Sequence, residues 1–229
     1  MHVVVVHYRL PEKRLSDFFD WNNKVFQDNG INVVVVSDIK KPMPFYAKCL
    51  VYPPLEMFSI TKTANAGIRK AGAGVIVKTD IDCIFSQAAV NACKLVSKGF
   101  GVGLSYNMVN GPNDKHGTLW RGTVGTVAMV FDDWSKINGY DERMEGYGYD
   151  DGDLVVRAEG AGIRINRPVV DFKHVAHDTG ADQSDPRNRK DYWNRDGFNP
   201  LHREENGKFT QTPYNNKNWG KIPSFTPVQ

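Results

Sequence analysis

The sequence predicts an α/β domain built on a mainly parallel sheet. Three observations carry this: short β-branched runs, helix-period segments between them, and strict alternation of the two over the first ninety residues. His2 to His7 encloses Val3-Val4-Val5-Val6, a continuous apolar run of the kind that is covered on both faces. Pro11 then opens a helix, because its fixed φ suits the first turn. Leu15, Phe18, Phe19, Val25 and Phe26 recur at helical spacing. Gly30 ends that helix, and Ile31 to Val36 is a second buried strand that runs out at Ser37-Asp38.

A proline-rich loop follows (Pro42, Pro44, Pro53, Pro54), and Ser59 to Lys70 reads as a helix. Val75-Ile76-Val77 is the third strand, leading into Lys78-Thr79-Asp80-Ile81-Asp82. Gln87 to Ser97 is helical, and Phe100 to Ser105 and Val124 to Phe131 are further strands. In such sheets ligands collect beyond the carboxyl ends of the strands, where Asp38 and the Asp80/Asp82 pair both fall. From about Thr179 apolar periodicity gives way to Pro, Asn, Asp and Gly. The surviving aromatics (Tyr192, Trp193, Phe198, Tyr214, Trp219) predict an irregular tail wrapped on the domain.

Bulk properties narrow the function. The 229 residues fit one compact domain. A net charge of +3, with no basic run, argues against a dedicated nucleic-acid binder. Cys49, Cys83 and Cys93 lack the spacing of a zinc site or disulfide framework, and free thiols suit a reducing cytosol. No apolar run approaches 18 residues, so no membrane span is expected. Nor does any segment announce an obligate protein partner.

The chemistry lies in three places. Asp80-Ile81-Asp82 puts two carboxylates on one side of an extended chain, as a divalent cation bridging phosphates requires. The same spacing occurs in solvated loops, but here it follows a buried strand. His174 and His177, three apart, can reach one centre from a helical turn or bent loop, and imidazole suits Mn²⁺ or Zn²⁺. Asn138 to Leu154 packs glycines, tyrosines and acids together. Glycines permit close approach of backbone to substrate, aromatic faces stack on sugars, and a carboxylate can take a hydroxyl proton. The start of a helix at Asp150 explains Asp150 and Asp151 by themselves, but not the glycines and tyrosines around them.

Two of these segments resemble a known family. Thr63 to Gly72 followed by Val75 to Asp82 is similar to the "RN-x-G-I-x-x-A-x-G…D-x-D" run of GT-A glycosyltransferases. Asn138 to Leu154 resembles the "N-G-[FY]…G-W-G-G-E-D-D-D-[IL]" signature of β-1,4-galactosyltransferases, the carboxy-terminal galactosyltransferase motif. Chondroitin-polymerase and polypeptide N-acetylgalactosaminyltransferase catalytic regions carry similar segments. The resemblance covers residues 1–185 and implies a GT-A fold. A nucleotide-sugar half would span 1–110 and an acceptor and metal half 111–185, with 186–229 as the packed tail.

The resemblance also implies roles. Asp38, Asn65, Arg69, Asp80 and Asp82 would hold a UDP-sugar. Mn²⁺, or Mg²⁺, would sit on Asp82 with Asp80, His174 and His177, because His174-Val175-Ala176-His177 stands where the family has Met-x-x-His. Asp151 falls on the family's general base, with Asp150 as the alternative. Asp150, Tyr147, Gly148 and Trp193 would meet the acceptor.

Departures from the pattern are Gly148-Tyr149 for Gly-Gly, Asp150 for Glu, Gly152 for the third acid and Tyr147 for Trp, and all touch sugar recognition. No stem, lectin domain or anchor is evident, so a bacterial or phage cytosolic enzyme is expected. Its acceptor would be a glycan, a protein or a modified DNA base. A sugar-phosphate nucleotidyltransferase would show a glycine-rich basic loop after the first strand, and His7-Tyr8-Arg9-Leu10-Pro11 is not one. A non-catalytic nucleotide-sugar binder would lack the base or the metal ligands, and candidates for both are present.

Overall fold

The computed structural model describes residues 1–8, 10–53, 55, 59–114, 117–120, 125–144, 149–176 and 219–222. Its framework is a seven-stranded sheet. β1 (His2–His7), β2 (Asn32–Ser37) and β3 (Ala47–Val51) run parallel, and β4 (Val75–Thr79) pairs parallel with β1 on the other side. Four intervening strands and helices lead to β9 (Thr126–Val130), numbered in chain order after β5 (Cys83–Phe85), β6 (Phe100–Leu104), β7 (Tyr106–Val109) and β8 (Thr118–Trp120). β9 inserts antiparallel between β4 and β6, and β10 (Arg164–Asn166) closes the far edge beside β6, giving the order β10-β6-β9-β4-β1-β2-β3. Segments from early and late in the chain thus share one sheet.

Alternation along the strands divides the core in two. Val3, Val5, Val33 and Val35 face one side, with Leu15, Phe18 and Phe26 of α1 (Glu12–Asp28) and Ala89, Val90 and Cys93 of α3 (Gln87–Lys94). Val4, Val6, Val34 and Val36 face the other, against α2 (Ile60–Ala71), α4 (Phe131–Lys136) and α5 (Asp150–Gly160). The continuous valine runs are what a sheet covered on both faces demands. At Gly67 any side chain would strike Val4 and Val36, so the glycine lets α2 lie directly on β1 and β2.

Helix ends follow their sequence signals. Pro11 caps α1. Ser59 and Ser86 accept backbone N–H groups at the starts of α2 and α3, and Gly72 takes the left-handed turn (φ 70°) that ends α2.

A smaller sheet, β5-β11-β7-β8, adds β11 (Phe172–Val175), antiparallel to β5 and parallel to β7. Several expectations change here. The proline-rich loop contains β3, an edge strand whose flanking prolines need not donate to a ladder. The strand expected through Phe131 stops at Val130, and Phe131 begins α4. Of the tail only 219–222 is described. There Trp219 is buried, its ring under the Arg69 guanidinium and beside Phe131.

Candidate active site

β4 delivers the first cluster. Its alternation places Lys78 and Asp80 on the same side, facing α5. Lys78 is 2% exposed, and its Nζ donates to Asp80 Oδ1 (3.0 Å) and to the Gly125 carbonyl (3.0 Å). The same ammonium lies 3.7 Å from Asp151 Oδ1 and 5.7 Å from the centre of the Tyr140 ring. Burial opposes its charge, but Asp151 and Asp80 outweigh that and hold Lys78 protonated well above its ordinary range.

Asp151 sits in the first turn of α5, 22% exposed, and accepts the Tyr140 hydroxyl at 3.3 Å. Burial pushes its carboxyl up to about 8. Lys78 works against that rise, while Asp150 and Asp80 add to it. Asp150 is raised as well, again mainly by burial. Asp153 is used differently: wholly buried, it bonds to Arg157 Nε at 2.7 Å within the helix. The turn that launches α5 is strained, because Tyr149 has φ 68° where the related pattern has glycine.

Gly125 packs against both carboxylates. A Cβ there would overlap Asp80 Oδ2 and stand 3.5 Å from Asp151 Oδ2. Only a bare backbone lets the two acids and Lys78 converge.

The second cluster is assembled by β11. Pairing with β5 sets His174 opposite Cys83, and the Val175 N–H donates to the Asp82 carbonyl (2.9 Å). His174 Nε2 thereby lies 3.0 Å from Asp82 Oδ1, with its ring 4.8 Å from that of Tyr106. His174 is thus on a strand, not on the helical turn or bent loop expected. Burial lowers its pKa, but the hydrogen bond and charge of Asp82 prevail and raise it overall. Arg14 of α1 reaches within 3.7 Å of Asp82 Oδ2.

Asp80, Asp82 and Cys83 each offer a ligand atom within 4.8 Å of the others. Burial drives the Cys83 thiol well above its usual range. The two carboxylates, with the His174 imidazole 3.0 Å from Asp82, make a donor set that fits Mn²⁺.

Asp38 follows β2, half-buried, accepting the Ser37 hydroxyl at 3.3 Å. It stands at the same sheet edge as Asp80, with β1 between them. Asn65 is not available to a nucleotide in this way. Asn65 is wholly buried on α2, where its amide bonds to both backbone groups of Tyr140 and to Glu142. Arg69 donates to the Trp219 carbonyl. Both brace the Asn138–Met144 loop and the tail. A side chain at Gly139 (φ 68°) would run into that Asn65 amide, so this glycine serves the fold, not approach to a substrate.

Tyr147, Gly148, His177 and Trp193 lie outside the described residues. Sequence reasoning overlooked Lys78, Tyr140, Gly125 and Arg14 as members of the site. For Lys78 a signal existed: a lone lysine inside a valine strand, in phase with the two aspartates that follow.

Comparison with known proteins agrees with this architecture. A family model described as the N-terminal domain of galactosyltransferase matches residues 107–178. β-1,4-Galactosyltransferase 3 of Cricetulus griseus is 26% identical over 172 residues, 63% of this chain and 39% of its own length. The chain therefore spans less than half of that relative. Among solved structures, the mannosyltransferase PcManGT of Pyrobaculum calidifontis, in complex with GDP-Man and Mn²⁺, superposes with a TM-score of 0.58. Identity there is 16%, over 78% of this chain and 57% of that one. GalNAc-T7 with UDP, GalNAc and Mn²⁺ also gives 0.58, at 12% identity over 77% and 44%. The fold is that of the GT-A glycosyltransferases.

Proposed function

We propose that this chain, a GT-A fold carrying a galactosyltransferase-like segment, is a metal-dependent inverting glycosyltransferase that moves a sugar from a UDP-sugar to an acceptor hydroxyl. The observation that carries the reading is the convergence of Asp151 on the strand-end acid Asp80 through Lys78. A candidate base and a candidate donor-binding acid thereby share one cluster.

Asp38 and Asp80 take the nucleoside side of the donor along the carboxyl edge of β2 and β4. Asp82 and His174, with His177, would hold the divalent ion. One oxygen of Asp80 is spent on Lys78, which leaves that residue chiefly to the donor. When bound, the ion supplies the positive charge that offsets the growing charge of the departing diphosphate.

Asp151 takes the proton from the acceptor hydroxyl as that oxygen attacks the anomeric carbon from the face opposite the leaving group, inverting it. Tyr140 orients the carboxylate through its hydroxyl. Asp150, Tyr147, Gly148 and Trp193 contact the acceptor. The acceptor is a glycan, a protein or a modified DNA base. Free cysteines, with Cys83 and Cys93 wholly buried, suit a reducing cytosol such as that of a bacterium or a phage-infected cell.

The test is donor turnover across UDP-, GDP- and TDP-sugars with Mn²⁺, run on the native chain and on Asp150→Asn and Asp151→Asn. Calorimetric UDP binding should survive Asp151→Asn while transfer falls about 10²–10⁴-fold. Near-native transfer by Asp151→Asn alongside an inactive Asp150→Asn would move the base to Asp150. Inactivity of the native chain toward all three donor classes would refute the reading.

A further inference from the structure

We propose that Lys78 is a positioning residue, an internal cation that ties the donor-side acid Asp80 to Asp151 and favours the ionised form of the Asp151 carboxylate. This rests on the assignment of Asp151 as the base.

A lysine buried inside a valine strand is expensive unless its charge is answered. Lys78 answers it with oxygens from three segments: Asp80 beyond its own strand, the Gly125 carbonyl before β9, and Asp151 of α5. The first two lie at hydrogen-bond distance and fix the ammonium. The third is close enough for a strong charge interaction. The aromatic face of Tyr140 completes the enclosure.

Stability alone does not require this arrangement. An apolar residue in the same strand would fill the space without desolvating a charge. What the cation alters is the state of its neighbours. Asp151 is faced by Asp80 from the end of β4, by Asp150 on its own helix, and by the Tyr140 hydroxyl from the loop after α4. Two of these groups repel a second negative charge, and burial adds to that. Among the described groups that face Asp151, Lys78 is the cation, and it favours the ionised carboxylate that a base requires. Tyr140 orients, and Lys78 supplies the charge.

The experiment uses the full chain with Mn²⁺ and the UDP-sugar it turns over. In Lys78→Met, of similar length and without charge, the acid limb of the kcat–pH profile should move up by about 1–3 pH units, and turnover should recover above it. Lys78→Arg should return the limb toward its native position. A merely structural lysine would depress kcat at every pH and leave the limb in place, and that result overturns the proposal.

Because Lys78→Met can fail to fold, a second measurement is made on the native protein. With ε-¹⁵N-lysine labelling, the Lys78 ammonium resonance should step at the pH of the kcat limb, and the step should vanish in Asp151→Asn. A flat resonance through the limb overturns the coupling without any Lys78 variant. Native turnover by Asp151→Asn overturns the base assignment and the catalytic use of Lys78 with it. An inactive Asp151→Asn combined with an unmoved limb in Lys78→Met overturns the Lys78 proposal alone.

Discussion

Gly125→Ala is the smallest change that should disable the proposed chemistry while leaving the fold intact. The added methyl carbon would lie inside the space of Asp80 Oδ2, about 1 Å closer than ordinary van der Waals contact, and 3.5 Å from Asp151 Oδ2. The overlapping atom is the far end of a side chain that is 36% exposed, so relief comes from rotation of Asp80 and not from movement of the sheet. That rotation breaks the 3.0 Å contact to Lys78 and shifts the acid by about the displacement that costs on the order of 10²-fold in well-aligned reactions.

Folding should change little, because no buried apolar contact is lost and surface-end adjustments are usually worth under about 0.5 kcal/mol. The assay is steady-state transfer with Mn²⁺ and a UDP-sugar, paired with a thermal melt. A drop in kcat near 10²-fold with a melt within a few degrees of native is expected. Native kcat in a folded Gly125→Ala protein would refute the view that Asp80 and Asp151 must converge there.

Four further outcomes follow. His174→Ala should raise the half-saturating Mn²⁺ concentration at least about tenfold, because His174 meets Asp82 at 3.0 Å, and unchanged metal dependence would remove it from the ligand set. Asp151 in the folded chain holds its proton up to about 8, against about 3.9 unfolded, so kcat/KM should rise with pH and level off above about 8. By the same sign, that proton favours the folded state below about pH 4 and its contribution fades as pH climbs to 8, a slope that Asp151→Asn should lack in pH-dependent melts. Tyr149→Gly should stabilise by about 1 kcal/mol, raising Tm by roughly 2–4 °C, since a left-handed φ of 68° is costly for tyrosine and free for glycine.

The valine runs of β1 and β2 were legible as buried strands because four β-branched residues in a row leave no polar face for water. Pro11, Ser59 and Gly72 marked helix boundaries through chemistry that acts within one turn. Asp80 and Asp82 were legible because a two-residue period and a strand end are local facts. The pairing of β11 with β5 was not. His174 reaches Asp82 across some ninety residues of chain through a register that no periodicity in a four-residue strand could specify. Asn65 looked like a donor ligand because its sequence neighbours resembled one. Only packing reveals that its amide is consumed by Tyr140 and Glu142.

Lys78 shows the division most plainly. Its sequence context gives its side of the strand and its phase with Asp80, both consequences of backbone alternation. That it meets Asp151, more than seventy residues later, depends on how α5 lies over the sheet, and a contact of that kind is fixed by the whole core at once.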